Sequence, residues 1–136
     1  MKENLQKMSE TFSINERVIF TGYRNDVYEI VNIADLFVFP SFHEGLPVSL
    51  MEAMAAGLPI VCSNIRGNVD LIQHGVGGYL CNPQSVNEFS LYIRKLYNNP
   101  LDCKKMSQVN VLNISNFSMK IVKSEMEEIY GSLLYE

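Results

Sequence analysis

Two glutamates, Glu44 and Glu52, lie in a segment rich in glycine and proline and are separated by seven residues. A pair of carboxylates can hydrolyse a glycosidic bond, but a retaining glycosidase needs its two carboxyl groups roughly 5 Å apart. The loop and helical turn expected between Glu44 and Glu52 would separate the two carboxylates by on the order of 10 Å. This spacing better suits two ends of one elongated ligand, each carboxylate accepting hydrogen bonds from a pair of neighbouring hydroxyls.

A predicted helix begins close behind Glu44 and provides a second kind of ligand group. The helix is expected over about 48–56, with Pro47 in its first turn and Gly57 just past its C-terminal end. Free backbone N–H groups and the helix dipole would together favour an anion at its N-terminus. Gly45 also permits close backbone approach or a positive φ. The N–H groups concerned are those of Gly45, Leu46, Val48 and Ser49.

Short apolar runs alternate with amphipathic segments along the chain. Strands are expected at about 17–21, 36–39, 59–62 and 78–81. Helices are expected at about 26–34, 48–56, 68–74, 85–97, 101–112 and 118–134. The alternation predicts an α/β, Rossmann-like fold in which about four parallel strands carry helices on both faces. Parallel sheets bind ligands beyond the carboxyl ends of their strands, where Tyr23, Arg24 and the Glu44 loop would lie.

Composition limits the class of protein and its partners. The chain has 136 residues, enough for one domain over 1–136, and its hydrophobic fraction of 47% is typical of a globular protein. A net charge of −4 argues against nucleic acid as a partner. Three cysteines without a CxxC pair indicate buried thiols in a reducing compartment. No apolar stretch is long enough to span a membrane, so a cytoplasmic location is expected.

The segment around the two glutamates resembles the E-x7-E signature of the retaining family 4 glycosyltransferases, which have the GT-B fold. Residues 40–59 follow the fuller pattern P-S-x-x-E-G-L-P-x-x-x-x-E-A-M-A-x-G-x-P. The resemblance covers about residues 10 to 135, with further matches at 18–27 and at 34–35. Its later matching positions are Gly67, Asp70, Gly75 and Gly78, where Asp70 replaces a more common Glu.

The resemblance implies a donor site and its residues. By analogy Glu44, the candidate catalytic residue, would bind hydroxyls of the donor sugar, and Glu52 the ribose hydroxyls of the nucleotide. The backbone at Gly45, Leu46, Val48 and Ser49 would hold sugar and diphosphate, and Tyr23 and Arg24 would lie near the base. The donor would be a UDP- or GDP-linked sugar and the acceptor a glycan or a lipid-linked molecule. The family needs no cofactor or metal, and the sequence contains no D-x-D.

The resemblance also implies that the chain is a partial C-terminal domain of the GT-B fold. In the family, an N-terminal acceptor domain and two further strand–helix units come before the part matched here. In the strand order 3-2-1-4-5-6, their absence would leave a two-strand gap between 17–21 and 36–39. We expect the chain to close that gap, to pair with a partner, or to fold poorly. We also expect no appreciable sugar transfer by this chain alone, and a parent enzyme in the cytoplasm or at the inner face of the membrane.

Three alternatives remain open from the sequence. A different GT-B enzyme, such as a sugar-nucleotide epimerase, would place its glycines and carboxylates differently from E-G-L-P-x-x-x-x-E. A non-catalytic module would bind a nucleotide sugar without turning it over. An inert remnant of a broken gene would bind nothing.

Overall fold

The computed structural model describes residues 2–133, which form seven α-helices and three β-strands. The helices are α1 (Lys2–Thr11), α2 (Val27–Asn32), α3 (Val48–Ala55), α4 (Asn68–Leu71), α5 (Val86–Tyr97), α6 (Pro100–Ile114) and α7 (Met119–Leu133). The strands are β1 (Phe37–Phe39), β2 (Ile60–Ser63) and β3 (Gly78–Cys81). Two short 3-10 turns cover Asn15–Arg17 and Ser115–Phe117.

The three strands form one parallel sheet in the order β1-β2-β3. Phe37 pairs with Ile60, and Ile60 in turn pairs with Gly78. Helix α3 connects β1 to β2, as a crossover between parallel strands requires. The predicted α/β class with a parallel sheet is therefore confirmed, but the sheet has three strands among the described residues instead of about four.

The predicted strand at 17–21 is wrong. Arg17 ends a 3-10 turn, and residues 18–21 pair with no strand among those described. Ile19 in this segment is 85% exposed. A strand is stable only where a neighbour accepts and donates its backbone hydrogen bonds, and the described residues place none beside this segment. β1 pairs with β2 along one edge, and its other edge has no partner strand among the described residues. The predicted gap beside β1 is therefore not closed by the described residues.

The core lies on both faces of β2, whose four residues are all buried. Alternate side chains of a strand point to opposite faces, so Ile60 and Cys62 pack with Leu50 and Met54 of α3. Val61 points to the other face, where it joins a cluster with residues of β3, α5 and α6. The predicted layers of helices on both faces of the sheet are confirmed.

Helix ends agree with the sequence in part. Gly57 has φ +73 just after α3, as predicted. Pro47 is the N-cap of α3 and not a first-turn residue, because its ψ of 111° is extended. The sequence S-x-x-E at Ser85–Glu88 predicts a capping box at α5, and one of its two bonds forms: the Ser85 side chain accepts a hydrogen bond from the Glu88 N–H at 3.3 Å. The Glu88 carboxylate accepts from the Asn82 N–H instead of the Ser85 N–H.

Other boundaries differ by a few residues. Helix α4 ends at Leu71 instead of 74, and α6 extends to Ile114 instead of 112. Helix α1 has no counterpart in the sequence-based prediction. The predicted end of the last helix, residue 134, lies outside the described residues. Over residues 2–133 no helix combines the length and apolar character needed to cross a membrane.

Candidate functional site

The loop between β1 and α3 presents the first glutamate. Glu44 is half-buried, and its Oε1 accepts a hydrogen bond of 2.6 Å from the Ser41 hydroxyl. Ser41 comes directly after Pro40 at the end of β1, so the strand fixes the donor of this bond. The bond orients one oxygen of the Glu44 carboxylate and leaves the carboxylate at the protein surface.

The second glutamate lies on α3 itself. Glu52 is exposed, and its helix begins at Val48, so it lies just beyond the first helical turn. Within residues 2–131 neither Glu44 nor Glu52 forms an ion pair with a lysine or arginine. Because no cation occupies them, both carboxylates can accept hydrogen bonds from neutral hydroxyls.

Between the two carboxylates lies a row of free backbone donors. The N–H groups of Leu50 and Met51 donate to the carbonyl of Pro47, at 3.1 and 3.2 Å. The N–H groups that precede Leu50 in the loop and at the start of α3 have no acceptor among the described residues. They include all four that were predicted from the sequence to face an anion. These are the N–H groups of Gly45, Leu46, Val48 and Ser49. The start of α3 therefore offers several donors at the positive end of the helix dipole.

The end of the neighbouring strand meets this loop. Gly67, the N-cap of α4, has φ +85, and a Cβ there would overlap the carbonyl oxygen of Gly45. Gly67 is one of the positions that match the family pattern, but its contact with Gly45 was not predicted from the sequence. The predicted parallel order of the strands could have indicated this contact, because the loops after two neighbouring parallel strands lie at the same edge of the sheet. Gly45 itself has neither a positive φ nor a protein atom close to its Cβ position.

Tyr23 and Arg24 lie in a separate segment before α2. Tyr23 is 94% exposed. The Arg24 guanidinium forms a two-pronged ion pair with Asp26, and the hydrogen bonds from Arg24 lower the pKa of the Asp26 carboxyl. This pair also explains why Asp26, at the N-cap position of α2, makes no capping bond with its side chain. No hydrogen bond or ion pair among the described residues joins Tyr23 or Arg24 to the Glu44 loop, and their role beside the base stays a prediction.

Thiol chemistry and metal binding are not favoured by the arrangement of the described residues. Cys62 and Cys81 are buried, and burial raises the pKa of Cys62 to about 12 and that of Cys81 to about 11. Such thiols stay protonated and unreactive at neutral pH. Over residues 2–133 no group of three or more histidine, cysteine, aspartate or glutamate side chains is arranged to hold a metal ion.

Two cavities lie away from the glutamates. One, of about 530 Å³, lies between α1 and the segment containing Val18 and Phe20. The other, of about 450 Å³, lies between Leu36 and the helices α5 and α6. Neither of these two cavities is lined by Glu44 or Glu52.

Comparison with known proteins decides the family. The profile of the glycosyl transferases group 1 family matches residues 1–110. The chain belongs to this family. EpsD of Bacillus subtilis (strain 168) is 30% identical over 134 residues, which are 98% of this chain and 35% of EpsD. The Escherichia coli UDP-Gal:alpha-D-GlcNAc-diphosphoundecaprenol alpha-1,3-galactosyltransferase is 36% identical over 77 residues, 57% of this chain and 20% of that enzyme.

Solved structures support the fold. Anabaena Alr3699/HepE in complex with UDP superposes with a TM-score of 0.91 at 23% identity, over 96% of this chain and 36% of that chain. The C-terminal domain of a group 1 family glycosyl transferase from Francisella tularensis, LpcC, superposes with a TM-score of 0.76 at 22% identity. That match covers 85% of this chain and 60% of the LpcC domain. The chain spans about a third of the length of EpsD and HepE.

Proposed function

We propose that this chain is the donor-binding part of a retaining glycosyltransferase that moves a sugar from a nucleoside-diphosphate sugar to a glycan or lipid-linked acceptor. One observation carries the proposal: in the chain between Glu44 and Glu52, several N–H groups at the start of α3 have no acceptor among the described residues, and over residues 2–131 neither carboxylate is ion-paired. An elongated ligand with a negative centre and hydroxyls at both ends fits this arrangement. A nucleoside-diphosphate sugar has that chemistry.

The roles of the residues follow from the charge that each group can stabilise. Negative charge develops on the diphosphate as the sugar departs, and preorganised N–H groups at a helix N-terminus stabilise such charge. Glu44, held by Ser41, would accept hydrogen bonds from the sugar hydroxyls and is the catalytic residue of the proposal. Glu52 would accept those of the ribose hydroxyls. Tyr23 and Arg24 are proposed to contact the base. The reaction so described needs no cofactor or metal ion from this chain.

The names of relatives support the donor and acceptor classes. The Escherichia coli relative is named for a UDP-galactose donor and a diphosphoundecaprenol-linked acceptor. HepE has been crystallised with UDP and with UDP-glucose. For the present chain these classes remain a proposal, since it spans only part of each relative. An acceptor of the lipid-linked kind would place the parent enzyme in the cytoplasm, at the inner face of the membrane.

We further propose that residues 1–136 bind donor without transferring it at an appreciable rate. This chain corresponds to about a third of the length of EpsD and HepE, and the proposal assigns the acceptor site to the remaining part of such enzymes. Transfer at a rate comparable with longer relatives by this chain alone would contradict this part of the proposal. Incubation with UDP-glucose and lipid-linked acceptor, followed by product detection, measures it. The anomeric configuration of the product made by a longer form would test retention.

The test of donor binding is calorimetric titration with UDP-glucose and GDP-mannose. Glu52→Ala should weaken the binding of the preferred donor by about ten- to a hundredfold, because hydrogen bonds to a charged group contribute roughly 1.5–3 kcal/mol. Glu125→Ala is the matched control, since it removes an exposed glutamate of the same charge from α7. Equal loss in both variants would mean a general charge effect and not a ribose contact. Absence of binding by the unaltered chain would favour an inert remnant.

A further inference from the structure

The loops that follow β1 and β2 come close to each other at Gly45 and Gly67. A Cβ at Gly67 would overlap the carbonyl oxygen of Gly45 and lie 2.9 Å from its carbonyl carbon. It would also lie 3.4 Å from the carbonyl oxygen of Glu44. These neighbours are backbone atoms, so no side-chain rotation can relieve the overlap.

Gly67 also has a backbone conformation that other residues rarely adopt. Its φ is +85, in the left-handed region that glycine tolerates without strain. Two independent features, the contact and the positive φ, therefore require glycine here. Gly75 shares only one of them: its φ is +78, but no protein atom lies within 4 Å of its Cβ position.

The backbone on the α4 side of the contact is held by more interactions than the backbone on the Gly45 side. Asn68, the residue after Gly67, is fully buried, and its Nδ2 donates a 2.9 Å hydrogen bond to the carbonyl of Ser63 at the end of β2. The opposite side is the exposed Gly45 in a loop without regular structure. A side chain at position 67 would thus displace the Gly45 peptide more readily than it would displace α4.

The Gly45 carbonyl belongs to the same planar unit as the N–H of Leu46. In a trans peptide the C=O and the N–H point in opposite directions. With the carbonyl directed at Gly67, the Leu46 N–H is directed away from α4. That N–H has no acceptor among the described residues.

We propose that Gly67 is a positioning residue that aims the Leu46 N–H at the donor. The inference rests on the proposed function for its ligand, a nucleoside-diphosphate sugar, and adds a residue outside the Glu44–Glu52 segment to the site. Gly67 does not touch the ligand. It acts by allowing the Gly45–Leu46 peptide to approach α4 closely enough to hold one orientation.

The test compares Gly67→Ala with Gly75→Ala in the full chain. Both glycines have a positive φ, so both variants introduce backbone strain, but only an alanine at position 67 would overlap the Gly45 peptide. Titration with UDP-glucose and GDP-mannose should show that Gly67→Ala binds the preferred donor about tenfold or more weakly than Gly75→Ala, since a displaced Leu46 N–H loses its hydrogen bond to a charged phosphate. Amide NMR should show the Gly45 and Leu46 resonances shifted in Gly67→Ala and unchanged in Gly75→Ala. Equal affinities in the two variants would overturn the proposal.

Two further readouts separate this inference from the proposed function. If the unaltered chain binds neither nucleotide sugar, the proposed function fails, but the amide shifts still decide whether Gly67 positions the peptide. If Gly67→Ala does not fold, hydrogen exchange in the unaltered chain decides. A saturating concentration of donor should then slow hydrogen exchange at the Leu46 amide and leave the exchange rate of the Val76 amide unchanged. An exchange rate at Leu46 that donor does not change would overturn the proposal.

Discussion

The segment before α2 and the segment from α2 to α6 contain apolar residues of the same kinds but differ in how far those residues are buried. From Val31 to Met106 lie all the buried hydrophobic side chains of the described residues. Before α2, Phe12 is 65% exposed and Ile19 is 85% exposed. The difference shows that an apolar run becomes structure only where a neighbouring element covers it. The central segment has such neighbours on both faces of β2, and the N-terminal segment does not.

The largest expected effect tests this difference directly. Leu50→Ala should lower the free energy of unfolding by about 3 kcal/mol, because Leu50 is fully buried between α3 and β2 and its loss leaves a cavity. Ile19→Ala should change it by less than about 0.5 kcal/mol, since an exposed side chain loses little contact. Urea denaturation followed by circular dichroism measures both values. A large loss from Ile19→Ala would mean that residues 18–21 are covered in solution.

A smaller effect is expected from a buried polar side chain that fastens α6 to the sheet. The Nδ2 of Asn110 donates to the carbonyls of Leu58 and Gly77, at 2.7 and 2.8 Å. Asn110→Ala removes the donor from both buried carbonyls and should lower the free energy of unfolding by about 2 kcal/mol. Asn113→Ala, on the exposed face of the same helix, is the control and should cost a few tenths at most. Similar losses in the two variants would show that the Asn110 bonds do not contribute.

The same comparison explains how much could be predicted from the sequence. The three strands of the sheet were predicted within about a residue, because β2 is a short apolar run buried on both faces and Pro40 and Gly57 mark the neighbouring boundaries. The start of α3 was predicted from Pro47, and its free N–H groups from the rule that the first N–H groups of a helix have no partner within it. These features depend on local chemistry that a sequence displays.

Features that depend on distant partners were not predictable in this way. The run at 17–21 has the composition of a strand, but its pairing depends on a neighbour that its own residues do not encode. The contact of Gly67 with Gly45 joins residues far apart in the chain, and a lone glycine does not indicate which backbone approaches it. Asp26 is an aspartate directly before α2, where its type favours a capping bond, but its carboxylate accepts hydrogen bonds from Arg24 and makes none with α2.

The smallest effect compares the two helix caps and sharpens this last point. Ser85 accepts a hydrogen bond from the Glu88 N–H at the start of α5, so Ser85→Ala should lower the free energy of unfolding by about 1 kcal/mol. Asp26 has the same position at α2 without a capping bond, and its ion pair with Arg24 is exposed, so Asp26→Ala should cost less than about 0.5 kcal/mol. Urea denaturation at low and high salt measures both. A larger loss from Asp26→Ala than from Ser85→Ala would mean that the N-terminal segment is fastened in solution by Asp26. The two segments would then differ less in stability than their burial indicates, because an exposed residue would stabilise α2 as much as a capping residue stabilises a helix packed on the core.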